Sequence, residues 1–531
     1  MMRRTGTKAI RRGFVAAGAV TLSLAAACSD GGGTSPDVST VSSLVRFDTC
    51  DELSAWVAEE MVPHVGPYGL QEEWLTPVDT PAGDVLDGAP DPGSAREDGA
   101  APAPDMEVDS NVGAADAPMD GPSEAPVDAP GGGSADAPAT PGSDQTTYSE
   151  TNVQVEGVDE PDILKTDGER IVAVADDTVH LASAETSRLL DSAELPDGMS
   201  DPEMMLYGDR IVLFGSLRHQ PGETAVAELN IRGGMLSSGD TYVIEGDYVS
   251  ARMLGSVVRL VTQSTPHDQF PFVSPASDTE EAREHAASVN RDLLADADSR
   301  DLLPGWRQVD EDGDALDEGE LFSCDQVHGP DQFAGFGTTS VVTFDVTGGV
   351  GDGIASSGGA GVLAEAETVY SSHEHLYVAS HQFGEAGSTD DDGDGVDGVD
   401  IGGPGDIAPD TATDEVSTAI HRFDISDPSE ASYDVSGRVD GVLLNQFALD
   451  EHDGNLRVAT TTGSPFGTGD NQSESHVTVL EPTSDALVEV GSVSGLGEGE
   501  TIHAVRFMGE TGYVVTFQQV DPLYVIDLSD P

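Results

Sequence analysis

The sequence predicts an all-β fold, a propeller of four-stranded antiparallel blades, and three observations point to it. Short apolar runs bounded by Gly, Asp or Asn recur from about residue 170 to the last residue. A turn-plus-strand unit returns at first every 40 to 50 residues or so, the length of one four-stranded blade. A second unit, with Asp set between apolar residues, returns where a third strand of each blade is due.

The strands read in order as 170–175 (RIVAVA), 178–183, 210–214 (RIVLF), 225–230, 257–262, 341–346, 375–380 (HLYVAS), 419–425 (AIHRFDI), 456–460, 477–480 and 513–517. The turn unit appears as Asp167-Gly168-Glu169-Arg170, Gly208-Asp209-Arg210, Leu254-Gly255-Ser256, His373-Glu374-His375, Asp453-Gly454-Asn455 and Gly509-Glu510-Thr511. The Asp unit appears in Phe344-Asp345-Val346, Phe423-Asp424-Ile425 and Ile526-Asp527-Leu528. About six blades are therefore expected. The last is incomplete, which predicts a ring truncated at its C-terminus, or else a shorter ring closed by a strand near 153–155. Acidic insertions at 265–335 and 383–416 stretch the later repeats, and almost no amphipathic helix is expected within the propeller.

Ahead of the propeller the chain divides into three parts. Residues 1–28 read as a signal peptide: Arg3, Arg4, Arg11 and Arg12, then an apolar run too short to span a membrane, then Ala25-Ala26-Ala27 before Cys28. That ending resembles a lipoprotein signal, with Cys28 as the lipidated first mature residue and Leu24 one place early. Arg11-Arg12-Gly13-Phe14 resembles a twin-arginine export signal. Ordinary secretion without an anchor is the alternative. Residues 29–65 hold a short strand and a helix over roughly 50–62, capped by Thr49 with Glu52 and presenting Leu53, Trp56, Val57 and Met61 on one face. Residues 66–147 are rich in Ala, Pro, Gly and acid and read as a disordered tether.

Composition excludes some partners. With 23 basic against 98 acidic residues the formal charge is −75, which repels nucleic-acid phosphates. Lys8 and Lys165 are the only lysines. The acidic surface suits concentrated salt, where the Debye length falls to about 3 Å at 1 M. If Cys28 is acylated, Cys50 and Cys324 remain, and an oxidising exterior favours their pairing across the tether; two buried free thiols are the alternative.

Several residue clusters suggest chemistry. Asp390, Asp392, Asp394, Asp397 and Asp400 around Gly395 resemble a calcium loop, although Ile401 stands where a bidentate Glu is expected; calcium is the one cofactor considered. Asp310, Asp312 and Asp314 with Glu318 and Glu320 form a weaker candidate, and solvated acidic loops are the simpler account of both. His373, His375 and His381 lack the accompanying ligands of a transition-metal site. No catalytic residue is assigned.

The string Thr151-Asn152-Val153-Gln154-Val155-Glu156-Gly157-Val158-Asp159-Glu160-Pro161-Asp162-Ile163-Leu164-Lys165-Thr166-Asp167-Gly168 resembles the opening signature of a family of secreted prokaryotic proteins. Their C-terminal β-propeller is distantly related to WD-repeat proteins. Leu443-Leu444-Asn445-Gln446-Phe447 with Asp453-Gly454-Asn455-Leu456-Arg457 is similar to a second signature, and the Cys324 region with 521–527 to a third. The resemblance covers most of 145–531, with the propeller itself taken as 148–531, and implies a fold and a place outside the cell, but no activity. Three functions follow as expectations: a surface-anchored, noncatalytic module binding an unknown protein or glycan, with the membrane reached through the lipid; an extracytoplasmic hydrolase or lyase using channel carboxylates; or a structural component of the envelope.

Overall fold

The computed structural model describes residues 44–70, 153–265, 270–310, 313–330, 335–348, 359–383, 416–463, 472–517 and 522–531. Among these, six mostly antiparallel sheets follow one another along the chain, so the strand rhythm of the sequence becomes a propeller. Every strand read from the sequence is present, most of them longer than read because polar residues at their ends continue the ladder.

Blade 1 comprises Leu164–Thr166, Arg170–Ala175, Thr178–Ser183 and Arg188–Glu194. Blade 2 runs from Met199–Tyr207 through Arg210–Leu217 and Gln220–Arg232 to Met235–Glu245. Gly305–Val309 and Ala315–Glu320 then extend it to six strands. Blade 3 is built on Asp247–Leu254, Val257–Ser264 and Thr338–Asp345, with Val158–Asp159 paired to its first strand. Blade 4 contains Thr368–Ser371, His375–Phe383, Val416–Asp424 and Ser432–Asp440. Blade 5 contains Leu449–His452, Asn455–Thr462, Glu474–Pro482 and Leu487–Leu496. Blade 6 has Thr501–Met508, Thr511–Phe517 and Leu523–Asp527.

The two sequence repeats each have a structural reason. The turn unit joins the first and second strands of a blade, and Gly208, Gly255 and Gly509 there take φ of 56°, 62° and 57°, a region other residues enter at a cost. The Asp unit closes the third strand. Asp345, Asp424 and Asp527 each accept through Oδ1 from the backbone N–H and the hydroxyl two residues on, in Thr347, Ser426 and Ser529. The residue after each Asp donates its N–H back to the turn unit: Val346 to Ser256 O, Ile425 to Glu374 O and Leu528 to Glu510 O. The two repeats are thus the two halves of one recurring lock.

Adjacent blades are joined by arginines. Arg170 Nη2 donates to Gly208 O at 2.8 Å, and Arg457 Nη1 donates to Gly509 O at 2.5 Å, so in both blades an arginine of the second strand reaches the turn unit of the next blade. In a chain so acidic, these few cations lie where they bind carbonyls and carboxylates together.

Two expectations change. The 265–335 insertion, in a propeller where almost no amphipathic helix is expected, is largely regular structure. It contains the helix Glu280–Ala295, N-capped by Thr279, and the two strands that widen blade 2. The helix buries Ala286, Ala287, Asn290 and Leu294, and small or polar buried residues leave little apolar periodicity to read. Asn290 is fully buried and satisfied, accepting from Val273 N–H and donating to Val273 O and Gly66 O. That last bond also shows the N-terminal segment continuing in order past 65: Leu70 is buried and Gly69 lies against Phe272.

The N-terminal segment is part of the core rather than an appendage. Leu44–Arg46 pairs with Val327–Pro330, and Cys50–Trp56 starts on Thr49, whose Oγ1 accepts from Glu52 N–H. Glu52 returns a bond to Asp48 N–H, one residue earlier than in the usual capping box. Leu53, Val57 and Met61 are buried, as the helical face predicts, beside Val212, Phe214, Phe322 and Leu294; Trp56 is partly buried and donates its indole N–H to Pro330 O. Cys50 and Cys324 are disulfide-bonded, with Cα atoms 5.2 Å apart.

Candidate functional site: a polar cluster where five blades meet

The two strings that stood out in the sequence meet in space. Gln154 donates through Nε2 to Gln446 O at 3.1 Å and to Leu449 O at 2.8 Å. Glu160 accepts from Gln154 N–H at 3.1 Å and from Gln446 Nε2 at 3.0 Å. One carboxylate therefore ties the segment leading into blade 1 to the segment leading into blade 5. Lys165, 3% exposed, pairs with Asp159 at 2.7 Å and donates to Glu160 O, holding that carboxylate's own backbone in place.

Arg252 of blade 3 completes the cluster. Its Nη1 donates to Ser250 Oγ and Ala251 O, and its Nη2 to Val369 O in blade 4 and to Gln446 Oε1. Burial pulls the guanidinium below its usual pKa, and Glu160, Tyr248 and Glu203 oppose that pull. Glu203 of blade 2 accepts from Tyr248 OH at 2.7 Å; burial and this carboxylate drive the phenol well above its usual pKa. Arg252 thus bonds groups of blades 3 and 4 and the segment leading into blade 5, with Glu160 and, through Tyr248, Glu203 acting on it electrostatically.

A second cluster lies between blades 4 and 5. Glu451 Oε2 accepts from Ser372 Oγ at 2.9 Å, His375 Nδ1 at 3.0 Å and Tyr377 OH at 2.9 Å, while Glu451 N–H donates to Tyr370 OH. Burial raises the Glu451 pKa, but the three donors outweigh it and hold the carboxyl below its usual range. A carboxylate held ionised by three donors is an acceptor and not a proton source. Replacing it, Glu451→Gln, is expected to cost about 2 kcal/mol at neutral pH, because the amide oxygen that takes the place of Oε2 lacks the charge that strengthens all three bonds. The folded pKa is depressed, so the ionised form stabilises the fold above the unfolded pKa and this is lost as pH falls through the folded one. The gap between wild type and variant in urea unfolding should therefore stay constant from pH 7 to about pH 5 and narrow as pH falls below the ordinary value of 4.5.

The histidines singled out in the sequence do not converge. His375 is held by Glu451, whereas His381 donates from Nδ1 to Glu367 at 2.7 Å and accepts from Leu443 N–H at Nε2. Asp310 Oδ1 accepts from Asp314 N–H as part of a turn; Asp312 lies outside the described residues. Cys28, the stretch 71–147 and Asp390, Asp392, Asp394, Asp397 and Asp400 also lie outside them. Among the described residues no group of three or more His, Cys, Asp or Glu is placed to hold a metal ion, and no helix is long and apolar enough to cross a membrane. Sequence reasoning passed over Arg252 and Glu203, which sit in ordinary strands. The one available signal was a basic residue, Arg252, close to a second, Arg259, in a chain nearly devoid of them.

A family model described as a beta propeller domain matches residues 148–531. An uncharacterized protein of Archaeoglobus fulgidus is 25% identical over 448 residues, 72% of this chain and 62% of that one. An uncharacterized protein of Methanocaldococcus jannaschii is 50% identical over 96 residues, 18% of this chain and 15% of that one. The chain thus spans less than two thirds of the length of either relative. Similar solved structures include Drosophila Plexin A in complex with Semaphorin 1b, at 6% identity and a TM-score of 0.28, covering 69% of this chain and 77% of that one. The AfRom2 CNH domain, at 7% identity and 0.25, covers 68% and 78%. Scores this low transfer nothing to this chain.

Proposed function

Since this chain belongs to the beta propeller domain family through residues 148–531, we propose that it works outside the cytoplasm as a noncatalytic binding module tethered by lipid at Cys28. The observation that carries the reading is the Cys50–Cys324 bond, because thiols in a reducing cytosol stay free whereas an exported protein keeps them joined. The basic, apolar and small-residue stretches of 1–28 supply the address, and the −75 charge suits a salt-rich exterior. The noncatalytic part draws on the polar clusters: Glu160, Glu203 and Glu451 are each engaged by donors that fix their position, which suits shape-keeping better than proton transfer.

The test is intact mass and peptide mapping of the protein taken from its own cells. The expected mature chain begins at Cys28 with a diacylglyceryl mass on sulfur and a blocked Cys50–Cys324 pair. A cytoplasmic chain still beginning at Met1, with both thiols alkylatable, would overturn the reading. A second reading, assembly with other copies, draws on the blade 6 strand Leu523–Asp527, which among the described residues pairs with Thr511–Phe517 alone and leaves Leu523 and Val525 exposed. Concentration-dependent sedimentation would support it over a monomeric binding module.

A further inference from the structure

Arg252 and Arg259 stand directly opposite each other on neighbouring strands of blade 3. They are 3% and 4% exposed. Like charges so placed repel, and burial strengthens the repulsion. Most buried or half-buried arginines here have a carboxylate: Arg210 has Glu228, Arg307 has Glu223, Arg422 has Asp434 and Arg457 has Asp450. Among the described residues, Arg252 and Arg259 make no such ion pair. The carboxylates acting on them from further off are already engaged: Glu160 by Gln154 and Gln446, Glu203 by Tyr248, and Asp427 by Ser429.

Arg259 also has donors to spare. Its Nη2 reaches Ile425 O, Asp427 O and Glu430 O in blade 4, while its buried Nε has no partner. Both arginines line a cavity of about 70 Å³ between blades 3 and 4, whose other walls include Leu254, Ile425 and Pro428. By the same measure one water needs about 10–15 Å³, so a small anion fits.

We propose that this cavity binds one small anion, either a halide or a tetrahedral oxoanion, which offsets the repulsion between the opposed guanidiniums. The site is unrelated to the address of the protein and stands or falls separately from the export reading. An anion here lies in the repulsive field of a chain with charge −75, so it is the two local cations that must hold it.

Equilibrium dialysis of the full chain against radiolabelled chloride in one arm and radiolabelled phosphate in the other tests this. So acidic a protein excludes anions at large, so saturable retention of one equivalent stands out above that background. Retention in the chloride arm alone assigns a halide, and in the phosphate arm an oxoanion. In Arg259→Met the retention should vanish, and in Arg259→Lys, which keeps the charge but loses the fork of donors, it should weaken at least tenfold. No retention in either arm by the folded wild type overturns the proposal, as does retention unchanged in Arg259→Met. Should the Met variant fail to fold, the wild-type stoichiometry and the Lys variant still decide the matter.

Discussion

Replacing Cys324 by Ser should lower the stability of the chain by about 5 kcal/mol, the largest effect expected of any single change considered. The bond links residues 274 apart in sequence, and closing so long a loop removes much of the freedom of the unfolded chain. It also fixes the helix Cys50–Trp56 against the strand region after blade 2, where Leu53, Val57 and Met61 fill the core. The comparison is made by denaturant unfolding of wild type and Cys324→Ser under oxidising conditions, with Cys50→Ser as a second variant that should fall by the same amount. A loss below about 1 kcal/mol in both would show that apolar packing alone secures the segment. Trypsin gives an independent reading, since Arg96 is the only basic residue from 66 to 147. Denatured after nicking, wild type should separate into two pieces only on reduction, and the Cys324→Ser chain without it.

Acid should unfold the protein through His421. This imidazole is 3% exposed, neither ring nitrogen has a partner, and burial lowers its pKa from 6.5 to about 4. The folded chain keeps it neutral while the unfolded chain protonates it at the ordinary value. The stabilisation is therefore complete above about pH 6.5 and is lost as pH falls toward about 4, by about 3 kcal/mol. His328, packed 4.7 Å from the ring of Tyr433, is also lowered to about 4, by burial and then by Arg46, and adds to the same slope. Working in molar salt screens the carboxylates, whose neutralisation would otherwise relieve repulsion and mask the effect. His421→Leu should flatten the decline between pH 6.5 and 4. It should also raise stability at neutral pH by about 1 kcal/mol, since it removes an unpartnered polar group. An unchanged slope in that variant would place the acid sensitivity elsewhere.

Much of the architecture was legible before any coordinates. Strands announce themselves through local alternation, and the turn glycines and third-strand aspartates recur because each blade must make the same corner. The helix Glu280–Ala295 escaped because its buried face is made of Ala and Asn, which carry little apolar signal. Of the candidate site, Gln154, Glu160, Lys165 and Gln446 lay inside strings that drew notice as signatures, yet nothing in either string says that they touch.

The sequence by itself determined the blades, their order, the acidic surface and the supply of just two cysteines after Cys28, because each is a property of composition or of neighbours along the chain. Only the tertiary structure decided that Cys50 meets Cys324, that Gln154 meets Gln446, and that Arg252 faces Arg259 at the edge of a cavity. The physical reason is that strand periodicity specifies which way a side chain points. What it points at is set by how separate sheets pack around a shared centre, and that is a relation between residues up to nearly 300 positions apart.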